Sequence, residues 1–267
     1  MSPILSDLTF TDEELHRYSR HILLPEVGAS GQAKLRDSSV LVIGAGGLGS
    51  PLSLYLAAAG VGRIGLVDDD RVELSNLQRQ ILFSTQDIGG GKAEQAAGRL
   101  GGLNPGIEVI PHDLRVDADN LPSLVSQYDL VCDGSDNFTT RYAVADCCHA
   151  LGKTLVSGAV QRFEGSLSTF APHRGGPYYR CLYPDADENA ALSCGQAGIF
   201  GAVTGVIGTL MATEALKEIL SLGRSMSGRV LIWHALEASF RSFDLPADPD
   251  CLCCGRGAGA ESGSEGV

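Results

Sequence analysis

The stretch VLVIGAGGLGSPLSLYLAAAG, Val40 to Gly60, decides the fold. An apolar run leads into Gly44-x-Gly46-x-x-Gly49, and a helix-forming run follows. In that strand–turn–helix context glycines let the backbone approach phosphate oxygens, and the helix offers unpaired N–H groups and its positive dipole end. Gly44, Gly46, Gly47 and Gly49 are therefore the candidate phosphate turn. The motif serves a dinucleotide and ATP equally, so other parts of the chain must choose between them.

Reading outward, RIGLVDDD predicts a second strand ending in Asp68, Asp69 and Asp70. Asp68 falls about 20 residues beyond the turn, where a carboxylate can accept hydrogen bonds from ribose hydroxyls. NAD and ATP both carry that ribose. Thr11-Asp12-Glu13-Glu14 fits a capping box that opens a helix through LHRYSRHILL. A further helix is expected over Lys92 to Leu103, and NPGIEVIPHDL, YDLVCDGSDN and TLVSGAV read as strands. Strands alternating with helices predict an α/β fold: a Rossmann-like, largely parallel sheet with helices on both faces. After Gly165 the pattern changes. GSLSTFAP and GRVLIWHAL read as additional strands, separated by an irregular crossing stretch from Pro172 to Gln196.

Composition narrows the function. The 267 residues are 44% hydrophobic and 19% charged with a net charge of −12, a globular balance without the basic footprint of a nucleic-acid or membrane-surface binder. Ala197 to Thr213 carries no charge, but it is shorter than the roughly 20 residues a spanning helix needs and runs into EALKEIL. It reads as a buried or interface helix. The N-terminus lacks a basic leader with an apolar core, and the eight cysteines do not follow an evenly spaced secreted framework. A cytoplasmic protein is expected.

The segment after the acids bears on the nucleotide. Asn76 and Arg79 lie in ELSNLQRQILF, and Lys92 follows the DIGGG loop. A triphosphate carries more charge than a dinucleotide bridge, and an anionic nucleophile must still approach it. Like charges about 4 Å apart repel by about 1 kcal/mol in water and about 4 at an effective dielectric near 20. Fixed arginine and lysine are the usual remedy. Asp136, in DGSDN, follows a buried strand at the carboxyl edge of the sheet, where open α/β folds bind ligands. On spacing alone Asp133 serves as well.

RYSRHILLPEVG, GAGGLGSPLSLYLAAAGVGRIGLVDDD, LSNLQRQIL, DGSDNFTTRY, RFEGSLSTF and SCGQAGIFG occur in the order seen in the MoeB/ThiF family, bacterial relatives of ubiquitin-activating enzymes. The resemblance spans about Thr11 to Gly255. It implies one adenylyltransferase domain over residues 1–255, with a nucleotide half at about 11–165 and a crossover and carrier-binding half at about 166–255; the tail at 256–267 has almost no apolar content and is expected to be disordered. It also implies an activity: ATP and Mg2+ are used to adenylylate the Gly-Gly C-terminus of a small ubiquitin-like sulfur-carrier protein, releasing pyrophosphate. Asp68 would hold the ribose, Asn76, Arg79 and Lys92 would line the phosphates, and Asp136 would serve magnesium and catalysis. Arg20 matches an arginine that reaches the neighbouring subunit's site, so a homodimer is implied, with Ala197–Thr213 a candidate part of its interface. Cys194 matches a cysteine that bonds the carrier covalently in some relatives and is dispensable in others. The competing readings, a nicotinamide-dependent dehydrogenase and a non-enzymatic nucleotide-binding module, leave the cationic set unexplained.

The sequence departs from the family at its zinc motif, which resembles two C-x-x-C pairs. Cys251 and Cys254 keep the second pair, but in GPYYRCLYP Tyr178 stands where a cysteine is expected, leaving Cys181. A closed Zn2+ site takes four ligands, and Cys253 or His173 would have to supply the fourth. No rhodanese segment follows within these residues, so sulfur is expected to come from a separate donor protein. The choice among molybdopterin, thiamine, thiolated tRNA and cysteine synthesis stays open.

Overall fold

The computed structural model describes residues 9–184, 198–251 and 253–254. Eight strands form one sheet: β1 (Ser39–Ile43), β2 (Arg63–Val67), β3 (Glu108–His112), β4 (Leu130–Asp133), β5 (Thr154–Gln161), β6 (Glu164–Phe170), β7 (Arg229–His234) and β8 (Ser239–Asp244). Their order is β3-β2-β1-β4-β5-β6-β7-β8. The first five pair in parallel and the last three antiparallel. This is the expected α/β architecture with its C-terminal extension. Pro111 cannot donate to a ladder, and β3, which carries it, is an edge strand.

Alternation along β1 divides the core. Val40 and Val42 face a cluster with Leu52, Leu56 and Ile207, while Leu41 and Ile43 face one with Tyr128, Val144 and Leu155. Both faces of a parallel sheet are covered in this way, which is why its strands read as unbroken apolar runs. Helix α4 (Gly49–Ala59) and the long helix Gly201–Leu220 cover the first face. The long helix buries Val203, Ile207, Met211 and Ala215, so one face of it is core. No helix among the described residues is long and apolar enough to cross a membrane.

Three details differ from the sequence reading. The first helix breaks into α1 (Asp12–Arg17) and α2 (Ser19–Ile22). Tyr18, at the break, is buried with its hydroxyl accepting from Asn104 Nδ2 at 2.8 Å. Its ring lies where a Cβ on Gly60 would be, so the left-handed glycine that ends α4 also seats the tyrosine. The crossing stretch begins with two ordered turns, Pro172–Arg174 and α8 (Tyr179–Leu182). Strand β8 is the third: its SFRSFD pattern leaves Phe240 and Phe243 exposed, so no buried face announced it.

Candidate functional site

Four strand ends lie side by side. Ile43 pairs with Val67 and Asp133, Val67 with His112, and Asp133 with Ser157. The loops leaving them enclose a cleft of about 310 Å³ at the point where strand order reverses around β1. The glycine turn forms its floor. Gly44 has φ of 87°, and a Cβ on Gly49 would lie 1.8 Å from the Gly44 carbonyl oxygen, so only glycine lets α4 start this close to β1. No side chain caps α4. Ser50 N–H already donates to Gly46 O at 2.9 Å and Pro51 has no N–H, so the helix offers an anion the Gly49 N–H and its positive dipole end.

Asp68 is fastened to that turn. Its carboxylate accepts from Ala45 N–H at 2.8 Å and Asp70 N–H at 3.0 Å. Lys92, at the first position of α5 (Lys92–Leu103), donates to Asp70 Oδ2 at 2.7 Å and lies 3.9 Å from Asp68 Oδ1. Its side chain is 6% exposed. Burial pushes the Asp68 carboxyl above the ordinary aspartate value, although Lys92 and the two N–H groups pull the other way. The site therefore holds a carboxylate whose charge is under-compensated until cationic or donor groups arrive.

Arg79 lines the opposite wall, with its guanidinium donating to Ser75 O at 3.1 Å. Asn76 does not line the cleft. It is buried, and its Oδ1 accepts from Glu73 N–H at 3.1 Å, closing the short turn Leu74–Asn76 that precedes Arg79. The geometry also separates the two aspartates. Asp133 is 0% exposed and is absent from the cleft wall, whereas Asp136 is exposed there. Arg20 lies on the exposed surface of α2, outside this chain's own cleft. Cys194 lies outside the described residues.

Several wall residues carried no assignment in the sequence. Leu114 and Val116 line the cleft with Arg115, from a loop with no motif to mark it. Gln80 lines it with a buried Oε1 that has no partner among the described residues. Arg141 contributes from α7 (Phe138–Ala150) and Thr204 from the long helix. Arg141 sits within DGSDNFTTRY, so its signal was present but unread.

A second cluster lies elsewhere. One sulfur each from Cys181, Cys251 and Cys254 lies within 4.8 Å of the others, and Cys181 Sγ is 3.4 Å from Cys254 Sγ. Tetrahedral thiolates about 2.3 Å from Zn2+ have comparable sulfur separations, so three residues fit a zinc shell. Burial pushes the Cys254 thiol up. Burial also opposes ionisation of Cys251, but hydrogen bonds from the Cys253 and Cys254 N–H groups and the Cys254 and Cys181 thiols together hold that thiol below its ordinary value. Neither proposed fourth ligand joins this group among the described residues. Tyr178 is 1% exposed and packs against the His149 ring at 5.2 Å, filling core where the family pattern has a ligand.

Next to the cleft, with which it shares Arg79 and Thr204, Pro51, Leu54, Tyr55, Ile81, Val206 and Leu210 line an apolar groove of about 840 Å³ between α4 and the long helix.

Comparison with known proteins agrees with this geometry. A curated Thermus thermophilus protein named sulfur carrier protein adenylyltransferase is 47% identical over 253 residues, 93% of each chain. The Haloferax volcanii SAMP-activating enzyme E1 is 46% identical over 251 residues, covering 94% of this chain and 92% of that protein. Among solved structures, E. coli MccB with MccA-N7isoASN superposes with a TM-score of 0.81 at 25% identity, covering 94% of this chain and 77% of that one. Residues 18–253 match the ThiF family, and with a glycine turn, a buried aspartate and cationic side chains gathered at one switch point, the chain belongs to that family.

Proposed function

We propose that the protein is an adenylyltransferase: it transfers AMP from ATP to the C-terminal glycine of a small ubiquitin-like sulfur-carrier protein. The observation that carries this reading is the meeting of Asp68, Arg79 and Lys92 in one cleft on the glycine turn, in a chain 47% identical to a sulfur carrier protein adenylyltransferase along nearly all of both lengths. A dehydrogenase needs the turn and the aspartate but has no use for two further cations beside them.

In this reading the adenosine lies over Leu114 and Val116, its ribose hydroxyls donate to Asp68, and the triphosphate crosses the start of α4. Lys92 and Arg79 neutralise phosphate charge as a carrier carboxylate oxygen attacks the α-phosphorus. The new bond is C–O–P, the α–β phosphoanhydride breaks, and the electron pair leaves with pyrophosphate, so no proton is needed. Asp136, exposed in the wall and in no ion pair among the described residues, would hold Mg2+, which when bound offsets charge on the phosphates. The acidic side chain and its position suit that hard cation.

Four further proposals follow the same reading. The apolar groove beside Arg79 is the face of a homodimer, in which Arg20 serves the partner's cleft. Zn2+ binds Cys181, Cys251 and Cys254, and Cys194 meets the carrier. A separate protein donates sulfur to the adenylated carrier. The deciding experiment is ATP–pyrophosphate exchange with and without a Gly-Gly-ended carrier. Exchange that requires the carrier supports the assignment; carrier-independent exchange or none with any such carrier rejects it.

A further inference from the structure

The loop that presents Asp136 is held from both sides by charged groups that the reaction itself leaves unused. Asp133 Oδ1 accepts the Ser135 N–H at 2.9 Å. Arg141 Nε and Nη2 donate to the Ser135 carbonyl oxygen at 3.1 and 2.6 Å, and Nη2 lies 3.5 Å from Gly158 O on β5. Both backbone groups of one residue are thus occupied by opposite charges, and these charges are 0% and 8% exposed. One position beyond Asp136, Asn137 Oδ1 accepts from Thr140 N–H at 2.8 Å and caps α7. Asp136 is the exposed residue between two fixed neighbours.

Burying a carboxylate and a guanidinium is unfavourable unless their hydrogen-bonding groups are used. Asp133 Oδ2 has no partner among the described residues, so the pair is not optimised for packing alone. The guanidinium fork suits the task because two of its N–H groups converge on one carbonyl, which a lysine ammonium cannot reproduce on a planar frame. We propose that Asp133 and Arg141 form a positioning bracket on Ser135 that fixes the Asp136 carboxylate for a divalent cation. This rests on the adenylyltransferase reading of the cleft. Neither residue contacts the cation; each acts through the backbone of Ser135.

The test uses the full chain without carrier, so that binding is read apart from turnover. In Arg141→Lys, the Mg2+ concentration for half-maximal ATP binding should rise by about 10–100-fold, the usual consequence of removing a residue that orients a metal ligand. ATP binding measured without Mg2+ should weaken far less than the magnesium requirement shifts, and the backbone amides of Ser135 and Asn137 should exchange hydrogen faster. A folded Arg141→Lys with wild-type magnesium dependence overturns the bracket. Should that variant fail to fold, Asp133→Ala, which frees the Ser135 N–H, is read in the same way with the same two outcomes. Asp136→Asn separates the layers. If it shifts the magnesium requirement while the bracket variants do not, the bracket alone fails. If it leaves that requirement unchanged, the metal assignment fails and the bracket's purpose with it.

Discussion

The cleft and the thiol cluster belong to one chain but are assembled in opposite ways. Parallel strands with fixed register bring Gly44, Asp68 and Gly134 together, so the cleft's frame exists wherever the sheet does. The cluster joins a four-residue helix to the last described residues, Cys181 and Cys254 being 73 positions apart. No strand pairing ties those segments to one another. Charge changes in the cleft should therefore impair chemistry and spare the fold, and changes in the cluster should do the reverse.

The largest effect expected on the first side is that of Asp136→Asn. The change is nearly isosteric at an exposed position, where substitutions usually stay within about 0.5 kcal/mol in stability. Magnesium-dependent pyrophosphate exchange should be abolished with the melting temperature unmoved. Full activity would transfer the metal role elsewhere and remove the cleft's strongest contrast with the cluster.

Arg79→Ala and Lys92→Ala come next. Losing a group that stabilises transferring charge should raise the barrier by about 2.7–4 kcal/mol, by analogy with loss of an oxyanion donor. The two should differ in stability. Arg79 is half-buried and bonds a carbonyl of its own turn, whereas Lys92 is buried between Asp68 and Asp70. Lys92→Ala should therefore lower the melting temperature as well as the rate. Exchange within twofold of wild type for both variants would reject the phosphate assignment.

The cluster supplies the opposite case, and burial changes what the sequence alone led one to expect. Restoring the family motif by Tyr178→Cys reads, on sequence, as a gain in both zinc and stability. Tyr178, however, is 1% exposed and packs on His149. Truncating a buried aromatic residue costs roughly 3–5 kcal/mol when it leaves a cavity. Zinc retention should rise in Tyr178→Cys while the melting temperature of metal-free protein falls. Elemental analysis and calorimetry on the same samples check this; zinc content equal to wild type would show that position 178 does not govern the site. Chelation should lower the wild-type melting temperature and leave carrier-free ATP binding intact.

The same contrast explains what was legible in the sequence. Glycine turn, Asp68 and Lys92 were readable because strand, turn and helix each have a local pattern and the sheet then fixes their meeting. The break in the first helix at Tyr18 has no local signal, because it is set by a contact with Gly60 and Asn104, distant in sequence. Strand β8 has none either, because its phenylalanines face outward. Spacing could not separate Asp133 from Asp136, since only burial distinguishes them. Asn76 was placed on the phosphates by resemblance, while its side-chain oxygen is engaged with Glu73 in the turn before Arg79. Arg115, Gln80 and Thr204 reach the wall from elements whose approach is tertiary.

The smallest effect concerns the charge the cleft carries when empty. Burial raises the Asp68 carboxyl above the ordinary aspartate value of 3.8 in the folded chain despite Lys92 and two N–H donors. A folded-state value above the unfolded one means that the native protein binds this proton more tightly. The associated stability is fully present below the unfolded value and is lost as pH rises through the folded one. Asp68→Asn carries no such titration, and its side-chain oxygen can still accept from Ala45 N–H. In nucleotide-free protein the melting temperature of Asp68→Asn relative to wild type should therefore climb as pH goes from below 3.8 towards neutrality. ATP binding should weaken in the same variant because one ribose acceptor is gone. A relative melting temperature that is flat or falls over that range would show that Asp68 is already fully compensated by the turn and Lys92. The cleft would then be as self-sufficient in charge as it is in backbone.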